Sequence, residues 1–185
     1  VSTGFVAGLV LGRGDRLARI LVPYIVAFNT LPRIGLVPLI TMIFGFGLLA
    51  KIVLAWSIVF FIVFFNTFQG ARSVDADLIH SARFLGASER QIMTTVIVPS
   101  ALAWTFASLT PSISFALIGV VVGEFIGGES GGGLGYLVIQ SLGTLNAADM
   151  MVALIVLGAI GIVMALGIRQ VEARLLRWRP EYQKR

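Results

Sequence analysis

The chain has 185 residues, 57% of them hydrophobic and 12% charged, with a formal net charge of +5 and a mean hydropathy of +0.95. A water-soluble domain of this size cannot bury so much apolar surface, which excludes a soluble enzyme, a disordered segment and a nucleic-acid binder. With no cysteine and one histidine, disulfides and thiolate metal sites are excluded, and no cofactor is expected.

The first element is residues 1–12 (VSTGFVAGLVLG). No basic segment precedes it and no small-residue cleavage site follows, so it reads as the tail of a membrane helix rather than a signal peptide. The chain is accordingly read as lacking its N-terminal part. Leu17–Thr30 is apolar but runs into Pro32 and Arg33. It is read as an interfacial helix, because another crossing would scatter the arginines over both faces. Ile34–Ala50 is the second predicted crossing. Ile52–Phe65, extended without charge to Ala71, is the third. Together they are far too long for one crossing at 1.5 Å per residue, so a tight turn is predicted at Lys51. Ala101–Gly123 and Met150–Ile168 are the fourth and fifth. The predicted fold class is therefore an all-α polytopic membrane protein.

Charge placement orients these crossings. Arg13, Arg16, Arg19 and Arg33, then Arg72, Arg83 and Arg90, then Arg169, Arg174, Arg177, Arg179, Lys184 and Arg185 all fall on one face. The other face receives only Lys51. The positive-inside rule puts segments 13–33, 72–98 and 169–185 in the cytoplasm, and 124–149 outside. Trp104 and Trp178 are placed where interfacial anchors belong, and Trp56 is read as lipid-facing or packed.

The cytoplasmic stretch Asp75–Pro99 is too patterned for a plain turn. Asp75 and Asp77 suit a first helical turn, and Leu78, Ala82 and Leu85 recur at helical spacing. Gly86 then interrupts, where a positive φ or a close helix approach is needed. Ser88 with Gln91 forms a capping-box pair that starts a second helix, which Pro99 is expected to end. An ordered hairpin at this cost in entropy calls for a cytoplasmic partner protein.

In the fourth crossing Thr105, Ser108 and Ser112 are candidates for lining a pathway or packing helices, with Pro111 freeing a backbone carbonyl. Asn66 near the inner end of the third is a further candidate. Glu124 sits in apolar surroundings at the outer end of the fourth crossing. It is read either as a pathway or packing group or as an acid reaching the headgroups. The run Gly127–Gly135 (GGESGGGLG) lacks the Lys-Ser/Thr of a phosphate loop. It is read as a flexible connector from Phe125 to a short helix Tyr136–Leu142.

The 75–99 segment resembles the EAA loop of ATP-binding-cassette importer permeases, whose pattern is Glu-Ala-Ala, three residues, Gly, nine residues, Ile-x-Leu-Pro. The matching positions here are His80, Ser81, Ala82, Gly86, Val96, Val98 and Pro99, with histidine in place of the glutamate. LVPLITMIFGFG, RSVDADLIHSARFLGAS, GVVVGEFIGGESGGGLGYLV and VEARLLRWRP resemble the nitrate, sulfonate and taurine subgroup, in its order. The resemblance implies a single type I (MetI-like) permease domain over 1–185, truncated at its N-terminus, with a coupling loop at 72–99. It implies a multi-pass protein of the bacterial inner membrane, without enzymatic activity of its own. His80, Ser81, Ala82, Gly86 and Pro99 would couple it to cytoplasmic ATPase subunits. A second permease copy, most simply in a homodimer, an extracytoplasmic substrate-binding protein and the lipid bilayer are the other implied partners. The implied cargo is a small anion such as a sulfonate, taurine or nitrate. A pyrimidine vitamin precursor, a secondary transporter and a non-transporting membrane scaffold are the alternatives. The absence of an acid–histidine relay across the membrane disfavours the secondary transporter.

Overall fold

A computed structural model describes residues 1–176, with the backbone alone at 128–131. The predicted roles of Arg177, Trp178, Arg179, Lys184, Arg185 and the Glu129 side chain lie outside the described residues. The described residues are helical: α1 (Ser2–Arg13), α2 (Asp15–Thr30), a 3-10 turn Arg33–Leu36 leading into α3 (Val37–Phe44), α4 (Leu48–Arg72), α5 (Ala76–Phe84), α6 (Glu89–Ile92), a π-helical turn Met93–Ile97, α7 (Val98–Gly131), α8 (Leu134–Gly143) and α9 (Ala147–Leu175). They form two compact units, Val1–Leu31 with Phe60–Leu109, and Pro32–Val59 with Thr110 onward.

Three helical stretches are long and apolar enough to cross a bilayer: Leu48–Arg72, Glu89–Gly127 and Ala147–Leu175. They contain the predicted third, fourth and fifth crossings. The predicted second crossing does not exist as drawn. Residues 34–50 are split between the 3-10 turn, α3 and the start of α4, and the chain turns at Gly45–Gly47, not at Lys51. Gly45 has φ +76, a conformation costly to L-residues with a Cβ, so the helix stops there. Lys51 instead lies inside α4. The predicted helix at Leu17–Thr30 is α2, and it continues through Pro23. It ends at Leu31, which is extended as the residue before a proline must be. By length and composition, α2 and 33–44 together suffice for one broken crossing.

Two further boundaries differ from expectation. Pro99 does not end the second hairpin helix. The helix runs unbroken from Glu89 to Gly127 over 39 residues. The π-helical turn just before Pro99 carries an i to i−5 bond, Val98 N–H to Met93 O, and this wider turn accommodates a ring that would clash with a normal α turn. The glycine-rich connector is likewise shorter than expected. α7 continues to Gly131, so only Gly132 and Gly133 link it to α8, with φ of +50 and +114.

In the first unit, α1 lies against α4 through a stripe of glycines. A Cβ on Gly4 would meet Phe60 O at 2.7 Å, one on Gly8 would meet Phe64 O at 2.7 Å, and one on Gly12 would meet the Ala71 Cβ at 2.6 Å. Glycine at every fourth position lets two backbones approach to van der Waals contact, the main source of helix association where lipid is as apolar as the side chains. This G-x-x-x-G-x-x-x-G run was readable in the sequence but was not predicted as an interface. Gly8→Ala is expected to lower stability by about 1–3 kcal/mol through overpacking, and Gly8→Leu to detach α1. Detergent-to-SDS unfolding checks it: an unchanged midpoint for Gly8→Leu would remove α1 from this interface.

α4 and α7 also meet inside each unit. In the first, Thr67 and Thr105 hydroxyls are 2.7 Å apart and Ser100 donates to Gly70 O at 2.9 Å. In the second, Gly119 and Gly123 receive Ile58 and Leu54. α9 packs on α8 but leaves Met151, Ile155, Ile162 and Val163 exposed, as suits a lipid-facing helix.

Candidate functional site

Two places concentrate polar chemistry, one in each unit. The first is the hairpin α5–α6. Asp75 caps α5, its carboxylate accepting from Asp77 N–H at 3.0 Å. α5 closes in a Schellman motif, with Ala87 N–H bonded to Ala82 O at 3.0 Å and Gly86 N–H to Arg83 O at 2.9 Å. Gly86 supplies the required left-handed residue at φ +84. The capping box of α6 is formed: Ser88 Oγ accepts from Gln91 N–H at 3.3 Å, and Gln91 Oε1 accepts from Ser88 N–H at 2.8 Å.

One side of the hairpin is glued to the membrane helices. Ile79, Ala82 and Ala87 pack on a buried cluster of Ala71, Ile92, Ile97 and Ala101, with Phe5 and Leu9 of α1. Glu89 ties the hairpin further. It accepts from Arg83 Nε at 2.9 Å and pairs with Arg13 at the end of α1. The other side is bare. His80 and Ser81 are exposed, and Phe84 and Leu85 at the corner are 93% and 89% exposed. Of the predicted apolar face Leu78, Ala82 and Leu85, only Ala82 packs: Leu78 is 54% exposed, its neighbour Ile79 packing in its stead, and Leu85 lies beyond the last helical turn. Pro99 sits at the root of the segment, half-buried.

The second place is a buried ion pair. Lys51 Nζ donates to Glu124 Oε1 at 3.0 Å and to Gly132 O at 3.0 Å. Glu124 Oε2 accepts the Gly135 N–H at 2.7 Å. Glu124 is 7% exposed, so it does not reach headgroups. A lysine in the first turn of α4 opposes the helix dipole, and the carboxylate offsets this while also capping a free N–H at the start of α8. Space forces the glycines here. A Cβ on Gly135 would lie 2.9 Å from both Val121 O and Glu124 Oε2, and one on Gly133 would overlap the Glu124 carboxylate. Reading Lys51 as a turn residue hid this pair. The missed signal was two opposite charges, each alone in an apolar stretch, which can coexist at membrane depth only in contact.

The remaining predicted positions are intrahelical or interhelical contacts. Thr105 Oγ1 donates to Ala101 O at 2.8 Å, which makes Thr67 the donor between the two threonines. Ser108 donates to Thr105 O at 2.7 Å, and Asn66 to Ile62 O at 2.8 Å. Ser112 is buried on the same face of α7. Trp104 lies against Gly70, whose Cβ would meet it at 2.7 Å. Among the described residues no group of three or more histidine, cysteine and carboxylate side chains could hold a metal ion.

Comparison with known proteins places this architecture. The family described as "Binding-protein-dependent transport system inner membrane component" matches residues 2–177. A putative aliphatic sulfonates transport permease of Bacillus subtilis is 32% identical over 97% of this chain and 64% of its own length. A formylaminopyrimidine transport permease of Halalkalibacterium halodurans is 28% identical over 97% of this chain and 71% of its own. The chain thus spans about two thirds of the length of these curated relatives. An inward-facing structure of the MetNI methionine ABC transporter superposes with a TM-score of 0.70 at 25% identity, over 95% of this chain and 87% of that one. The fold is that all-α, multi-pass, MetI-like bundle.

Proposed function

This chain belongs to the binding-protein-dependent transport inner-membrane component family, and from that premise we propose that it is the membrane-spanning permease subunit of an ATP-driven importer of a small solute. The observation that carries the reading is the hairpin. It is clamped to α1 by Glu89 on one side and offers Phe84 and Leu85 to the aqueous phase on the other. Exposed apolar residues on a rigidly held corner are a docking surface for another protein. The segment 72–99 then couples a single permease domain to a cytoplasmic ATPase. His80, Ser81 and the Gly86 corner face the partner, while Ala82 and Pro99 hold the hairpin to the bundle.

ATP hydrolysis belongs to that partner, since the chain has no phosphate-binding loop. Two ATPases closing on each other require a second permease copy, most simply in a two-fold homodimer. A substrate-binding protein delivers the solute to the outer face, and alternating access carries it inward. A sulfonate-class anion is the favoured cargo, supported by the 32% identity to the sulfonate permease. The formylaminopyrimidine permease supports a vitamin precursor as the second reading.

The test is uptake into proteoliposomes holding the full-length chain with its ATPase subunit and its substrate-binding protein. ATP-dependent accumulation of a labelled alkanesulfonate is expected. Uptake driven by a proton gradient without ATP would overturn the importer reading. ATP-dependent uptake of a pyrimidine and not of a sulfonate would overturn only the cargo.

A further inference from the structure

We propose that the cavity between α2 and α4 at their arginine-rich ends is a binding site for an anionic phospholipid. Its volume is about 460 Å³. Asp15, Arg19 and Arg72 form its polar end, and Ala18, Val22, Pro23 and Phe68 form the rest of its wall. All of them lie in the first unit.

The distribution of these residues matches an amphiphile. α2 begins on the arginine-rich side and α4 ends there. The two helices therefore run in opposite senses, and one turn from each arginine toward the bilayer the wall becomes apolar. From Arg19 that turn leads to Pro23, and from Arg72 it leads to Phe68. A phosphate held at the rim leaves an acyl chain along Phe68, Pro23 and Val22. A free anion would gain nothing from that apolar part.

The electrostatics select a negative headgroup. Arg72 donates to Asp15 at 2.9 Å and its guanidinium stands 5.4 Å from the Phe68 ring centroid. One carboxylate leaves most of the five guanidinium donors available. Among the described residues no carboxylate pairs with Arg19. The rim thus carries one positive charge in excess, with the planar donor geometry that matches a phosphate. Basic pockets between membrane helices on the cytoplasmic side bind anionic headgroups for this reason. The opposite face of α2 presents Leu17, Ile20, Leu21, Tyr24 and Phe28, all exposed, so the helix is apolar where it meets bulk lipid, and of its arginines Arg19 lines the cavity while Arg16 does not.

The experiment uses the full-length chain purified in detergent, with phosphatidylglycerol, phosphatidylcholine and inorganic phosphate as probes. Native mass spectrometry reads retained lipid, and thermal unfolding reads stabilisation. Phosphatidylglycerol is expected to be retained and to raise the unfolding midpoint, with no response to phosphatidylcholine or phosphate. Arg19→Gln with Arg72→Gln should lower its retention at least fivefold, whereas Arg16→Gln, outside the cavity, should leave it unchanged. Val22→Trp fills the apolar half without touching charge and should lower retention to the same degree. If the double arginine variant does not insert, Val22→Trp decides alone. Undiminished phosphatidylglycerol retention in Val22→Trp overturns the proposal. Equal stabilisation by inorganic phosphate, or occupation of the cavity by a second copy of the chain, overturns it as well.

Discussion

Replacing Lys51 with methionine is expected to produce the largest loss of stability of any single change in the second unit. It leaves the Glu124 carboxylate buried with only the Gly135 N–H for compensation. Breaking a buried pair by removing one partner costs about 3–5 kcal/mol, because the remaining charge has neither water nor a counter-charge. Glu124→Gln is the milder half, since its amide oxygen still accepts from Gly135 and Lys51 keeps the Gly132 carbonyl. The double variant Lys51→Met with Glu124→Gln should recover most of the loss, as neutral replacement of both partners commonly does. SDS-induced unfolding of the three variants in detergent, followed by Trp56 and Trp104 fluorescence, gives the coupling between the two sites directly. Additive losses in the double variant would mean that the pair contributes as two independent charges. The adjoining glycines should be equally intolerant. Gly133→Ala adds a Cβ into the carboxylate at a φ of +114, so its loss is expected to exceed that of an ordinary glycine-to-alanine change.

The second large effect is expected at the hairpin corner, on partner binding rather than folding. Phe84 and Leu85 make few contacts within the chain, so Phe84→Ser with Leu85→Ser should leave the unfolding midpoint unchanged. Fully burying such a side chain stabilises a contact by about 1.5–3 kcal/mol, and the smaller figure is already about tenfold in affinity. The double variant should therefore bind its ATPase roughly a hundredfold more weakly and support little uptake, measured by co-purification and transport. Full association and full uptake would overturn the coupling role of the corner. Of the two reasons expected for a glycine at position 86, a positive φ and a close helix approach, the structure shows the first. Nothing lies within 4 Å of the position a Cβ would take. The cost of Gly86→Val is the left-handed backbone at φ +84, which should shift the Schellman turn, and Gly86→Asn should spare much of it because asparagine tolerates that region.

The sequence by itself determined the medium, the hairpin and its caps. Transfer of a side chain into lipid is a local and nearly additive energy, so long uncharged runs are readable residue by residue. Capping is equally local, since Asp75, Ser88 and Gln91 each bond a backbone group within three residues. Only the tertiary structure decided where the chain turns near residue 45, how far α7 extends, and what Glu124 touches. Those outcomes depend on residues far apart in sequence. Lys51 can stay inside a helix because Glu124, 73 positions away, neutralises it, and Glu124 can stay buried because glycines at 133 and 135 leave room for its carboxylate. A run of apolar residues specifies that it will be helical and in lipid. Which charge inside it ends a helix and which is paired is set by packing, because the desolvation cost of a charge is cancelled only by a partner that the fold delivers.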